Sequence, residues 1–331
     1  MKIIDEVDLI TNKNEHELSS FHAIFHFVFF IVFFILFLTQ THSFSQNTLA
    51  KKVLTLKEKN SLKLIREIEH FGRRELKLKL HNHFYTQWQL VEQPNTYLYV
   101  SRADSILLPT GANTFQFFGT DTLAAKLAAD SIKNTGLDAM IYRTSGNSAV
   151  RLTHQLLNYP EEAIIFIVLH EMAHVHSNQK KLKIPYSAEE SFGDFLGNIA
   201  GEFFVRKYHP ELIADFIKQK ETHESLYKLF KNMEINAQGV SKSEKISIYY
   251  SAQKQLNSII VSANKFQHDR FEYPMNHAYI LRNRYYYAWY FEYKCLNSKI
   301  NNLREMTTFY SHFPDNEIEL RKLIKSYCSI N

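Results

Sequence analysis

The chain has 331 residues, enough for one substantial domain preceded by a targeting element. Hydrophobic residues make up 45% and charged residues 22%, a balance that can bury a core, while 9 Gly and 7 Pro weigh against a turn-rich β architecture. The net charge of +5 is mild, and the basic stretch from Lys51 to Lys79 is interleaved with Glu58, Glu67, Glu69 and Glu75. It reads as a solvated helix face; with no zinc-finger, RNA-binding or P-loop motif in the chain, no nucleic-acid partner is expected.

Residues 1–22 form an acidic extension, with Asp5, Glu6, Asp8, Glu15 and Glu17 against Lys2 and Lys13. Ala23 to Leu38 is apolar on every face except at His26, which suits a signal-peptide core or a tight membrane anchor. Ser43 and Ser45 then stand at small-x-small positions before Gln46, so residues 23–45 read as a signal peptide or anchor and 46–331 as the folded domain. The acidic prefix has the wrong sign for a signal, and Lys51, Lys52, Lys57 and Lys59 beyond the run would be cytoplasmic by charge alone. The small-residue tail favours export to the periplasm or cell envelope, with membrane association through residues 23–38 if the run is not cleaved. Oligomeric state is not encoded in any pattern.

From Thr48 to about Leu80 the spacing of Leu64, Ile65, Ile68 and Phe71 predicts a helix with one buried face. Short β-forming runs follow at 84–91, 96–101 and 114–118, then an Ala-rich helix at 121–133 that stops near Asn134 and Gly136. Leu137 to Thr144 reads as another strand, turned by Ser145, Gly146 and Asn147. Beyond Pro160 the pattern is nearly all helix, giving an α+β class with a mixed first half and a helical second half. Cys295 and Cys328 lack metal or redox spacing and are either one disulfide or two isolated thiols.

The chemistry concentrates in a helix predicted from Asn158, as its cap, to about Lys180. After the apolar run Ala163 to Leu169 stands His170-Glu171-Met172-Ala173-His174. Histidines four apart share one helical face, so both imidazoles reach one zinc ion, and the glutamate between them is angled at a zinc-bound water. Zinc makes that water acidic, and Glu171 can take its proton during attack on a carbonyl. Burying two histidines and a glutamate without such a purpose would cost free energy. His176, two residues on, points away and is expected at the surface.

A third ligand is expected sixteen residues downstream, where Glu190 and Asp194 lie four apart on a further helix. Glu190 would bind zinc and Asp194 would accept a hydrogen bond from a ligand histidine. Ser187-x-x-Glu190 is also a capping box, which would leave Glu189 as the ligand; Glu202 is a weaker competitor.

These residues carry a family resemblance. Leu169-His170-Glu171-Met172-Ala173-His174 followed by Glu190-Ser191-Phe192 resembles the bacterial predicted aminopeptidase family, gluzincin-like proteins that are usually exported or lipid-anchored. Arg66-Glu67-Ile68, Phe117-Phe118-Gly119, Tyr159-Pro160 and Pro274-Met275-Asn276-His277-Ala278 extend the likeness from about Leu64 to the C-terminus. The resemblance implies a zincin-like fold, zinc on His170, His174 and Glu190, catalysis by Glu171, and a peptide substrate. Val175, Glu189 and His277 depart from the residues usual in the family, the linker before Glu190 is longer, and no lipobox cysteine is present. An oxyanion donor is expected between Phe271 and Tyr290, with His277 and Tyr279 as first choices because they lie in the matching segment. Within the peptidase class, aminopeptidase and endopeptidase both remain open; a non-catalytic envelope protein with a structural metal is the rival class.

Overall fold

The first helix is built by its own sequence. In the computed structural model, which describes residues 54–81, 95–102, 115–133, 135, 137–144, 154–262 and 277–328, helix α1 (Leu56–Arg74) opens with a capping box. The Glu58 amide donates to Thr55 Oγ1 at 3.2 Å, and the Thr55 amide donates to Glu58 Oε2 at 2.7 Å. Leu64, Ile65, Ile68 and Phe71 form the buried stripe that their spacing predicts. The other Glu58 oxygen lies 2.7 Å from His154 Nδ1, on the short helix α3 (His154–Leu157), and accepts from Asn158 at 3.3 Å. Asn158 is therefore occupied with Glu58 and with the His154 carbonyl and does not cap the next helix, as its side chain type suggested. That helix starts after Pro160, with Glu161 and Glu162 in its first turn facing the unpaired amides.

Among the described residues, strands β1 (Asn95–Arg102), β2 (Phe115–Phe117) and β3 (Leu137–Thr144) form one antiparallel sheet in the order β2-β1-β3. Alternation divides its faces. Leu98 pairs with Ile141 and Val100 with Ala139, and these four cluster with Ala125 and Ala129 of α2 (Thr122–Lys133). The opposite face carries Tyr97, Tyr99 and Tyr142 and packs on a later helix, α9 (His277–Tyr287). The strand expected at 84–91 and the turn at 145–147 lie outside the described residues, as do the whole apolar run 23–38 and His26.

The helical half is arranged around α4 (Glu161–Lys180), whose Ala163, Ile164, Ile165, Phe166, Val168 and Leu169 are all buried. Through its apolar run and the turns that follow, α4 packs against α1, α5 (Tyr186–Phe195) and α7 (Ile213–Asn236). At its crossing with α1, a Cβ on Gly72 would stand 1.9 Å from Met172 Cε, so a larger residue there would displace the end of that methionine. A π-helical turn, Leu196–Ala200, joins α5 to α6 (Gly201–Tyr208). Then come α8 (Lys242–Ser262), α9, α10 (Tyr290–Ile300), α11 (Leu303–Tyr310) and α12 (Glu317–Tyr327). Residues from Thr55 onward make one compact unit, mostly helical with a small antiparallel sheet, which is the expected α+β class. Among the described residues no helix is long and apolar enough to cross a membrane.

Two further expectations resolve here. His176 is not at the surface but 2% exposed, because the 76–81 segment and α11 cover that side of α4. Its Nδ1 accepts the Lys79 amide at 2.8 Å and its Nε2 lies 3.0 Å from Ser311 Oγ. Burial pushes its pKa down to about 4, keeping the ring neutral as an acceptor. The cysteine alternative falls to the bridge: Cys295 and Cys328 are disulfide-bonded, with Cα atoms 6.2 Å apart.

Candidate metal centre

Helix α4 brings His170 and His174 to one face, and α5 lies across it carrying Glu190 and Asp194. The two Nε2 atoms are 3.1 Å apart. Glu190 Oε2 is 3.5 Å from His170 Nε2, and Glu190 Oε1 is 3.6 Å from His174 Nε2. Three ligands each about 2.0–2.1 Å from a zinc ion at tetrahedral angles stand roughly 3.3–3.4 Å from one another. The observed separations, two of them to different oxygens of Glu190, lie near that value, so this trio could hold a metal ion.

The outer ring nitrogens support the same reading. His170 Nδ1 lies 2.7 Å from Asp194 Oδ1 and His174 Nδ1 lies 3.2 Å from Glu189 Oε1. Each carboxylate fixes an Nδ1–H tautomer and turns the Nε2 lone pair inward. Tyr227 donates to the other Asp194 oxygen. Gly193 admits this geometry: a Cβ there would stand 2.8 Å from His170 Nδ1. Burial opposes a charge on His170, but Asp194 and Glu190 outweigh it and raise its pKa to about 9. His174 shifts up for the same reason, burial opposing and Glu190 and Glu189 prevailing, while burial raises and the two imidazoles lower Glu190, with a net fall. The pocket's field therefore favours positive charge at the imidazoles, as a cation site requires.

The rivals for the third position are used elsewhere. Ser187 Oγ accepts from the Trp289 indole at 3.1 Å, and α5 starts after Pro185, so no capping box consumes Glu190. Glu189 is the acceptor behind His174, and Glu202 is ion-paired with Arg206 and Lys220. Glu171 points from α4 beside the trio, half-buried, and among the described residues its carboxylate makes no hydrogen bond. Burial raises its pKa, the two histidines opposing.

His277 begins α9, and its side chain lies outside the described residues. Tyr279 is buried with its ring 5.6 Å from Phe230 of α7. Tyr286 stands beside the trio, its ring centre 6.0 Å from that of His170. Tyr186 approaches Glu190, with Tyr285 4.9 Å from its ring.

One neighbour had no sequence signal. Arg282, on α9 and 5% exposed, places its guanidinium 3.6 Å over the Tyr142 ring and 4.8 Å from the Tyr286 ring. Its hydrogen bonds, to Asn283 Oδ1 and Tyr286 Oη, are both long at 3.4 Å, and Nε has no partner. Among the described residues no carboxylate pairs with it. Two desolvated cation–π contacts at about 2 kcal/mol each do not clearly offset the several kcal/mol lost on dehydrating a cation.

A family profile described as "Putative aminopeptidase" matches residues 36–317. The chain belongs to that family. The match begins upstream of Leu64, where the motif likeness started, and contains the metal trio, Glu171 and Arg282. No curated protein and no solved structure matches the chain.

Proposed function

We propose that this member of the putative aminopeptidase family is a zinc-dependent peptidase that removes residues from the free amino end of peptides. The observation that carries the reading is the pair of imidazole nitrogens and Glu190 oxygens at tetrahedral ligand spacing, with an unbonded glutamate beside them. His170, His174 and Glu190 would hold the ion; a His, His, Glu set suits zinc best. Bound there, zinc supplies Lewis acidity that makes water nucleophilic near neutral pH.

The chain's own groups supply the rest. Asp194 and Glu189 lock the imidazoles, and Tyr227 locks Asp194. Glu171, with its pKa raised by burial, accepts the water's proton and passes it to the leaving amine. Tyr286 is the donor best placed for the oxyanion: burial raises its pKa well above the usual value, keeping the phenol protonated. Two crossed helices carrying the trio beside a small antiparallel sheet support a zincin-like arrangement.

Export is part of the proposal. It is supported by the apolar run 23–38 and by the Cys295–Cys328 bridge, since disulfides persist in oxidising compartments. The domain proper would then be residues 46–331, after an acidic extension at 1–22.

A peptide with a free amino end and its N-acetylated twin test the activity class. The free amine is hydrolysed and the acetylated twin is not, and a zinc chelator abolishes the reaction. Equal cleavage of both would make the protein an endopeptidase instead.

A further inference from the structure

Arg282 is a buried cation with no carboxylate partner among the described residues, and it sits against the same tyrosine that faces the metal trio. Its guanidinium has five donors in a fixed fork; only two are engaged, both at 3.4 Å, and Nε is unpartnered. Tyr142, from the sheet, and Tyr286, from α9, flank the group, their ring centres 3.6 and 4.8 Å from the guanidinium carbon. The unpartnered Nε and the two long hydrogen bonds leave donors of the fork for a ligand. The chemistry that fits a planar fork in a dry setting is a carboxylate, bound through parallel hydrogen bonds.

Distance links this group to the reaction centre. The guanidinium lies 4.8 Å from the Tyr286 ring, and that ring lies 6.0 Å from His170. The two spacings end to end set the furthest the guanidinium can be from the imidazole. Two or three extended residues, at roughly 3.3–3.6 Å each, cover that span. We propose that Arg282 binds the free terminal carboxylate of the substrate, so that the protein acts on di- and tripeptides in preference to long chains or C-terminally blocked peptides. This rests on the peptidase reading and narrows its substrate class.

The test compares the tripeptide Ala-Ala-Phe with its C-terminal carboxamide, which differ only in the group offered to Arg282. Binding is measured by calorimetry on zinc-loaded Glu171→Gln protein, where turnover is blocked, and on the same protein carrying Arg282→Gln. Hydrolysis of both peptides by the unsubstituted protein is followed in parallel. The acid is expected to bind about 10- to 100-fold more tightly than the carboxamide, the range for a charge-assisted pair. With Arg282→Gln the two become equal, and Arg282→Lys restores part of the difference.

Equal binding of acid and carboxamide to the arginine protein, including no binding of either, overturns the proposal. So does a preference that survives in Arg282→Gln. If Arg282→Gln fails to fold, the comparison of the two peptides on the arginine-containing protein decides alone. A preference for the acid without any hydrolysis would sink the peptidase reading and leave the carboxylate site standing. Hydrolysis of both peptides with equal affinity would do the reverse.

Discussion

At the residue scale, the metal trio depends on what stands behind it. Asp194 is 2.7 Å from His170 and 5% exposed, whereas Glu189 is 3.2 Å from His174 and 22% exposed. Asp194→Asn is therefore expected to weaken zinc affinity about 10- to 100-fold, and Glu189→Gln by less, as measured by competition with a chelator. Equal losses would mean that burial of the acceptor does not set its contribution. His170, Glu171 and His174 were legible because helical spacing is local: residues four apart must share a face. Glu190 and Asp194 were legible for the same reason, once a second helix was read. Tyr227 and Arg282 were not, because each meets the site across long sequence separations and looks like ordinary helix packing in a one-dimensional pattern; Tyr286 fell inside the stretch expected to supply an oxyanion donor but was not singled out within it. The family likeness directed attention to His277 and Tyr279, but Tyr279 packs on Phe230 while Tyr286 stands beside His170.

At the scale of elements, Glu58 both completes the cap of α1 and ties that helix to α3 through His154. Its hydrogen bonds, that from His154 first, lower its pKa to about 2 despite burial, against about 4.3 in an unfolded chain. A depressed carboxylate pKa contributes stability that is complete above the unfolded value and vanishes as pH falls through the folded one. Glu58→Gln is thus expected to cost about 1–2 kcal/mol at pH 7. The gap from the unsubstituted protein should close between about pH 4.5 and 2 in urea titrations; a pH-independent gap would assign the effect to packing. Helix bodies were readable from periodicity, but helix starts were less so. Asn158 has the chemistry of a cap and spends it on Glu58 and the His154 carbonyl, a competition settled only when α1 and α3 meet. His176 was misplaced because spacing shows which face a residue occupies, not whether a second layer covers that face.

At the scale of the whole molecule, the α+β class followed from the order of patterns along the chain, but the strand order β2-β1-β3 and the cysteine pairing did not, since both join distant segments. The bridge closes a span of 33 residues between α10 and the end of α12. Loop-closure entropy puts its contribution at about 3–4 kcal/mol, so Cys295→Ser should lower the free energy of unfolding by that order in denaturant titration. The sheet presents Tyr142 to α9, α9 presents Tyr286 to His170, and α4 and α5 close the trio; sheet and helical half therefore meet at the candidate site. The central claim is that this arrangement is a hydrolytic metal centre in which Glu171 moves a proton and binds no ion. Metal content and peptide hydrolysis, measured together on the unsubstituted protein and on Glu171→Gln, test it most directly. Both proteins are expected to retain zinc, with hydrolysis falling by at least about 100-fold in the variant. A protein that takes up no metal, or a variant that hydrolyses peptides as well as its parent, would contradict the account.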